Sequence, residues 1–378
     1  MPERYDVICV GIGGVGSAAL AHMAERGLSV LGIDRFPPGH DRGSSHGESR
    51  IIRLVYMEHP DYVPLLRRAY ELWEQLGERA GRPLLHYTGI LYAGPRAGGV
   101  IPALDACARR HGLGLERLSP AEAAQRFPGF RMPADWEAAY EIDAGYLDVE
   151  DCVRTYAARA QAAGADFRLG EAVLDWEATA SGVEVRTNAG RYAADRLVLC
   201  PGAWAQDLAR LPSIRLPVLR KELAWYAARE AHHTRAGGCP LFFFETPDGS
   251  YYGFPDLGGN GLKVAEHTGG EPVENPLEVD RSPREADRRR VEAFLDAHVP
   301  GVSRDLLRQE VCLYTMSPDE HFVVDQHPES ERVFLVAGLS GHGFKFASVL
   351  GEIAAEWAAG RGLPASIEFL RCRRFASG

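Results

Sequence analysis

The sequence predicts a two-part α/β protein: a doubly wound domain assembled from separated segments of chain, and an α+β module with a mainly antiparallel sheet. Three observations carry this expectation. A strand, glycine turn and helix open the chain in "YDVICVGIGGVGSAALAHMAERGLSVLGID". A second such unit lies near the C-terminus in "ERVFLVAGLSGHGFKFASVLGEIAAEWAAG". Between about 217 and 316 the texture turns to alternating aromatic strands, "ELAWYAAR", "LFFFET", "SYYGFP" and "LKVAEHT". With 378 residues, 46% hydrophobic and 25% charged, the chain is long enough to bury more than one core.

The bulk properties narrow the function. A formal net charge of -10 argues against a nucleic acid partner, which calls for a basic excess or a clustered basic face. The cysteines at 9, 107, 152, 200, 239, 312 and 372 are odd in number and show no CxxC or Cys/His spacing, so neither a metal nor a disulfide framework is expected. Reduced thiols in a cytoplasmic protein are the simplest reading. The N-terminus lacks a signal-peptide pattern and no apolar run approaches the ~18 residues of a membrane span, so no membrane partner is expected.

In the first unit a strand from Val7 to Val10 meets Gly11, Gly13 and Gly16, a helix continues to Gly27, and a second strand from Val30 to Ile33 ends on Asp34. This is the dinucleotide fingerprint in its required setting. Gly11 makes the tight turn, Gly13 admits a pyrophosphate to the backbone N–H groups, Gly16 lets helix and sheet pack, and Asp34 is placed for a ribose. The pattern alone does not choose between NAD and FAD. In "GSSHGESRIIRLVYMEHPDYVP" a polar loop precedes Arg50 and Arg53, which share a face if a helix begins near Ser49. Two such arginines read either as structural ion pairs or as an anion site, and their place after a cofactor unit favours the second.

Residues 55 to 130 read mostly as helices. "DVEDCVRTYAARAQAAGADFRLGEAVLDWEA" gives a helix and a strand, and "PGAW" turns out of a strand at Arg196 to Cys200. In "SYYGFPDLGGNGLKVAEH", a hairpin, Lys263, Ala265 and His267 share one face, which on the hairpin alone reads as solvated. "PREADRRRVEAFLDAHVPG" is a charged structural helix. In "VCLYTMSPDEHFVV" alternation puts Cys312, Tyr314 and Met316 on one face; taken alone, this cysteine reads as buried and inert. The last unit has a strand from Val333 to Ala337, glycines at 338, 341 and 343, and a helix from Phe344 to Ala359, whose N-terminus suits a reduced flavin's negative charge.

These residues resemble the monomeric sarcosine oxidase and N-methyltryptophan oxidase group of amine oxidases, which also includes pipecolate oxidase. The likeness covers nearly the whole chain through "GIGGVG", "GSSHGESRIIR", "PGAW", "YYGFP", "GLKVAEHT", "CLYTMSPDEHFVVDQHP" and "GLSGHGFKF". It implies a glutathione-reductase-like, D-amino-acid-oxidase-like fold, with an FAD-binding Rossmann-like domain from 1-82, 146-216 and 318-378 and a substrate domain from 83-145 and 217-317. The implied cofactor is FAD, covalently held through its 8α position by Cys312. The implied cofactor set is Gly11, Ile12, Gly13, Gly14, Val15, Gly16, Asp34, Arg35, Ser45, His46, Arg50, Val173, Gly202, Trp204, Cys312, Met316, Gly341, His342, Gly343, Phe344 and Lys345.

The resemblance further implies that Arg53 and Lys345 grip a substrate carboxylate and that Arg50 and His46 neighbour the flavin ring. Lys263 would help the reaction with O2, while Tyr252, His267 and Tyr314 would line the amine pocket. The implied reaction oxidises a secondary amino acid to an imine that water hydrolyses, with O2 reduced to H2O2; sarcosine, a small-molecule substrate, would give glycine and formaldehyde, and the protein would act as a monomer. Phe243, where sarcosine oxidases carry methionine, and the run after the arginines depart from the pattern, leaving N-methyltryptophan or a cyclic imino acid as alternatives. A flavin dehydrogenase or a non-catalytic flavoprotein subunit are further readings.

Overall fold

The structure, a computed structural model, describes residues 4–375. Its first sheet forms because the apolar runs 7–10, 30–33, 197–199 and 333–337 are buried on both faces, as parallel strands require. Arg4–Val10 is central, parallel to Val30–Asp34 on one side and to Arg191–Leu199 on the other; Asp166–Leu169 and Ser330–Ala337 extend the parallel set. The strands Val173–Thr179, Gly182–Thr187 and Val323–His327 complete eight, each in antiparallel pairing. The helix Gly14–Glu25, buried from Gly14 to Ala24, packs against the helices Val149–Ala162 and Ala347–Ala358. All the parallel strands therefore deliver their carboxyl ends to one edge, where open α/β sheets bind ligands.

The second sheet has nine strands, ordered Glu271–Val273, Val218–Tyr226, Leu262–Glu266, Gly249–Phe254, Leu241–Thr246, Ile90–Pro95, Trp136–Glu141 and Glu116–Leu118, with Leu306–Thr315 also on Val218–Tyr226. Every pairing is antiparallel except Leu241–Thr246 with Ile90–Pro95. A third sheet has three strands, ordered Ser49–Ile52, Gly145–Asp148 and Leu85–Tyr87.

Three expectations are corrected. Ser49–Ile52 is a strand, not the start of a helix: paired with Gly145–Asp148, it uses the β-branched Ile51 and Ile52 as a ladder, and Arg50 and Arg53 are set by strand and turn geometry. The span 55–130 holds Leu85–Tyr87, Ile90–Pro95 and Glu116–Leu118 besides its helices, because short apolar runs are ambiguous in period. Lys263 is only 2% exposed, since the loop at Gly47–Ser49 and the Trp225 and Phe254 rings cover the face that read as solvated. The C-terminal helix is regular over Ala347–Ala358, after a 3-10 turn at Phe344–Phe346. Among the described residues no helix is long and apolar enough to cross a membrane, and no group of three or more His, Cys, Asp or Glu could hold a metal ion.

Candidate active site

The glycine loop at the carboxyl end of Arg4–Val10 is built by close approach. Gly11 has φ +93°, and a Cβ there would lie 2.2 Å from the Cys200 carbonyl oxygen. A Cβ on Gly16 would lie 1.8 Å from the Gly11 carbonyl oxygen, so only glycine lets the helix start this close to the turn. Asp34 fastens the loop: its carboxylate accepts from the Ile12 N–H at 2.6 Å and the Phe36 N–H at 2.9 Å. Burial pushes the Asp34 carboxyl up, and these N–H bonds oppose it. The Gly14 N–H donates to Ser45 Oγ at 3.2 Å, which draws the basic loop over the glycines.

From this loop a cavity of about 410 Å³ runs to the C-terminal glycine turn, within the range of small-molecule and cofactor sites. Gly11, Gly13, Gly14, Val15, Asp34, Arg35, Val173, Gly202 and Trp204 line one end, and Ser45, Arg50, Cys312, Gly341, His342, Gly343 and Phe344 the middle. Arg53, Glu58, Phe243, Tyr252, His267, Tyr314 and Lys345 line the other end. Among the expected residues Ile12, Gly16, His46, Met316 and Lys263 do not line it. Ile12 and Gly16 act beneath the loop, His46 and Lys263 are buried behind the wall, and Met316 packs against the core. The helix start at Gly13, a residue with no side chain to cap it, and the buried, unpartnered Trp204 Nε1 suit a phosphate-bearing, hydrogen-bonding group such as FAD.

Cys312 lies on Leu306–Thr315 among cations. Arg50 Nη2 donates to its Sγ at 3.3 Å and to the Ser44 carbonyl at 2.9 Å, and Arg50 Nη1 to the Ser49 carbonyl at 2.9 Å. Burial alone would raise this thiol; Arg50, His46 and Lys263 outweigh it and bring it down to about 7. His46 responds reciprocally: burial lowers it, but Cys312 and Glu310, whose Oε2 is 3.1 Å from His46 Nδ1, raise it to about 9. A thiol brought down that far carries a substantial thiolate fraction at neutral pH, unlike a cysteine buried among apolar groups alone.

At the far end Arg53 is 5% exposed. Its Nη2 donates to Glu58 Oε1 at 2.6 Å, while Nη1 and Glu58 Oε2 are buried without partners. The rings of Tyr56, Phe243 and Tyr92 stand 4.9, 5.8 and 6.0 Å from the guanidinium carbon. Burial would raise Glu58, but Arg53, His342 and Lys345 hold it at about 2. Lys345 donates to the His342 carbonyl at 2.8 Å, and burial and Arg53 bring it down to about 7. Glu141 sets the turn that aims Arg53: it accepts from the Leu54 N–H at 2.6 Å, the Val55 N–H at 3.1 Å and the Tyr92 hydroxyl at 2.9 Å.

His342 faces the core more than the cavity, with Nδ1 2.6 Å from the Tyr56 hydroxyl and Nε2 3.0 Å from the Glu320 carbonyl. The carbonyl only accepts, so Nε2 carries the proton and Nδ1 accepts from Tyr56. His267 sits among Phe243, Tyr252 and Tyr314, with ring centroids at 5.8, 6.2 and 5.9 Å. Burial first, then Lys221, Arg53 and Lys345, lower it to about 4, so it is neutral at pH 7. Lys263 Nζ donates to the carbonyls of Gly47 and Ser49 at 2.6 and 2.9 Å, between the Trp225 and Phe254 rings.

Sequence reasoning missed Glu58, Tyr56, Glu141 and Lys221. Glu58 follows Arg53 by five residues in an irregular loop, where spacing carries no facing rule. Glu141 is remote in sequence, and Lys221 stands in a strand whose alternation gave no sign that its face is covered.

The chain matches the model of the FAD dependent oxidoreductase (DAO) family over residues 6–357. It is 38% identical over 364 residues to the monomeric sarcosine oxidase of Arthrobacter sp. (strain TE1826), covering 94% of this chain and 92% of that protein. It is 38% identical over 373 residues to the N-methyl-L-tryptophan oxidase of Yersinia pestis (strain Pestoides F), covering 98% and 99%. Among solved structures, NikD, an unusual amino acid oxidase essential for nikkomycin biosynthesis, superposes with a TM-score of 0.87 at 29% identity over 98% of this chain and 97% of that one. Glycine oxidase from Geobacillus kaustophilus shares the fold with a TM-score of 0.82 at 21% identity, covering 98% of each chain.

Proposed function

The chain belongs to the FAD dependent oxidoreductase family, and from that membership we propose that it is an amine oxidase acting on N-methyl amino acids, sarcosine foremost, with O2 as electron acceptor. One observation carries the substrate class: two buried basic side chains, Lys345 and Arg53, whose Nη2 is taken by Glu58 while Nη1 is left without a partner, line a cavity together with Phe243, Tyr252, His267 and Tyr314. Such a pair suits a single carboxylate, whose arrival would restore the charge that burial denies Lys345.

FAD, when bound, supplies the two-electron acceptor that no side chain here provides. We assign its binding to the segments 1-82, 146-216 and 318-378, through the glycine loop, Asp34, Trp204 and the turn at Gly341 and Gly343, with Cys312 as attachment residue. The segments 83-145 and 217-317 we assign to the substrate. Arg53 and Lys345 hold the carboxylate and so fix where the C–N bond lies. Their charges, with a neutral His267, disfavour an ammonium beside them, and the amine must be unprotonated to give up electrons. Tyr252, Tyr314 and Phe243 exclude water from that end. The amine proton leaves before oxidation, and water hydrolyses the imine product afterwards. A monomeric, cytoplasmic protein accords with the name of the sarcosine-oxidising relative and with seven free thiols.

The test is peroxide release by the purified chain with sarcosine, N-methyl-L-tryptophan, pipecolate and proline. Turnover of none of them, or turnover only with an artificial acceptor, would replace this reading with a non-catalytic flavoprotein or a dehydrogenase. Phe243 sets the choice within the panel, because its ring stands between Arg53 and His267. Phe243→Ala is expected to raise the ratio of kcat/KM for N-methyl-L-tryptophan over sarcosine by about 10- to 100-fold, the usual worth of pocket shape.

Burial, and after it Arg50, push Lys263 well below the ordinary lysine value, and negative charge accumulating in the cavity in front of Gly47 and Ser49 would favour its charged form. Lys263→Met is therefore expected to slow the reaction with O2 by about 10²- to 10³-fold in stopped flow while leaving anaerobic bleaching by the amine within about twofold. Equal slowing of both half-reactions would refute that role.

A further inference from the structure

Lys221 is 4% exposed in the strand Val218–Tyr226, directly across the antiparallel ladder from Cys312. A buried ammonium needs an ion partner or a full set of acceptors. Among the described residues it has no ion pair. Instead Nζ donates to three successive carbonyls, those of His267 at 3.1 Å, Thr268 at 2.6 Å and Gly269 at 3.1 Å. The same Nζ lies 5.3 Å from the Tyr314 ring centroid. The three carbonyls belong to the turn that leaves Leu262–Glu266, where Gly269 and Gly270 take positive φ. One ammonium thus touches both the turn carrying His267 and the back of Tyr314.

We propose that Lys221 is a positioning residue for the amine end of the pocket: its ammonium ties down the 267–269 turn and the Tyr314 ring, so that His267 stays aimed into the cavity among Phe243, Tyr252 and Tyr314. The kinetic side of this proposal rests on the oxidase reading above; the structural side does not. The three carbonyl dipoles make the site favourable for a cation, and a neutral or shorter side chain leaves them buried with fewer donors. The surrounding charges are Glu266 from the adjoining strand, Asp287 and Arg290 from the helix Glu285–His298, and the Cys312 thiol from Leu306–Thr315. Burial is the main force against the ammonium and brings Lys221 down to about 8, with Glu266 the first to oppose it. It is therefore still mostly charged at pH 7, and its charge is one of those that keep His267 neutral.

The test compares Lys221→Met, which removes charge and donors, with Lys221→Gln, which keeps an amide donor, in the FAD-loaded enzyme. Lys221→Met is expected to lower kcat/KM about 10- to 100-fold, mostly through KM, as for any misplacement of about an ångström, and Lys221→Gln to recover part of the loss. Independently of turnover, imidazole NMR should show the His267 titration rising by about half a unit to one unit in both variants, because a neighbouring cation has gone. Should Lys221→Met fail to retain FAD, Lys221→Gln decides by the same two measurements. An unmoved His267 titration together with wild-type KM in the folded variant would overturn the proposal. If the wild-type chain turns over no amino acid in the panel, the oxidase reading falls, and the His267 titration still decides this one.

Discussion

Arg53→Met should lower kcat/KM for an N-methyl amino acid by about 30- to 5,000-fold, the ~2–5 kcal/mol typical of truncating one member of a buried charge pair. Carboxylate binding would lose its main donor, so the change should appear chiefly in KM. The variant also strands Glu58, whose Oε1 accepts from Arg53 Nη2 at 2.6 Å and whose Oε2 is already without a partner. That makes a second, independent signature in stability against pH. Burial would raise Glu58, yet Arg53 and the nearby cations hold it at about 2, below its ordinary value of 4.5. A carboxyl lowered on folding contributes stability that is fully present above pH 4.5 and is lost as pH falls toward 2. Without Arg53 that contribution, of order 3 kcal/mol, disappears, so Tm should drop at pH 7 and the gap to wild type should narrow on acidification. A Tm difference that is constant with pH would show that Arg53 stabilises by packing on Tyr56 and Phe243 instead. A wild-type KM in a folded variant would remove Arg53 from carboxylate binding.

The contrast between Arg53 and Glu58 explains what the sequence could and could not convey. The glycine loops were legible because they act through backbone: Gly11 and Gly16 are required by contacts of 2.2 and 1.8 Å to a would-be Cβ, and such positions recur at fixed spacing around one turn. The antiparallel texture of 217–316 was legible because alternation is local. The hairpin by itself carries no sign that Lys263 is buried, because burial of a strand face depends on what covers it, here a loop more than two hundred residues away at Gly47–Ser49. For the same reason Glu141 gave no signal: it holds the 54–55 backbone across a separation of 87 residues, a contact set by the tertiary fold and by no periodicity. Arg50 was picked out for its residue type, yet its partner, the Cys312 sulfur, lies 262 residues away. Local pattern reveals elements and loops; which charged groups are brought together follows only from how the two sheets meet.

Cys312→Ser should abolish acid-stable flavin altogether: colour should pass into the supernatant on precipitation, whereas the parent is expected to keep it in the pellet. A hydroxyl cannot replace the thiolate, since serine has no accessible ionisation near neutrality. Arg50 supplies the graded version of the same test. Its Nη2 lies 3.3 Å from the sulfur, and it is the first of the groups that outweigh burial to bring the thiol down to about 7. Returning the thiol toward its ordinary value of 9.0 would cut the thiolate at pH 7 from roughly half to about one per cent. Attachment to apoprotein reconstituted with FAD should then slow by up to about 50-fold in Arg50→Met, and raising the pH toward 9 should restore most of the rate because the thiolate returns. The sign distinguishes electrostatic activation from simple positioning. If Arg50 merely holds the loop through the Ser44 and Ser49 carbonyls, attachment stays slow at every pH. If flavin remains bound to Cys312→Ser after denaturation, the attachment residue is another one, and the cations around position 312 serve the ring alone.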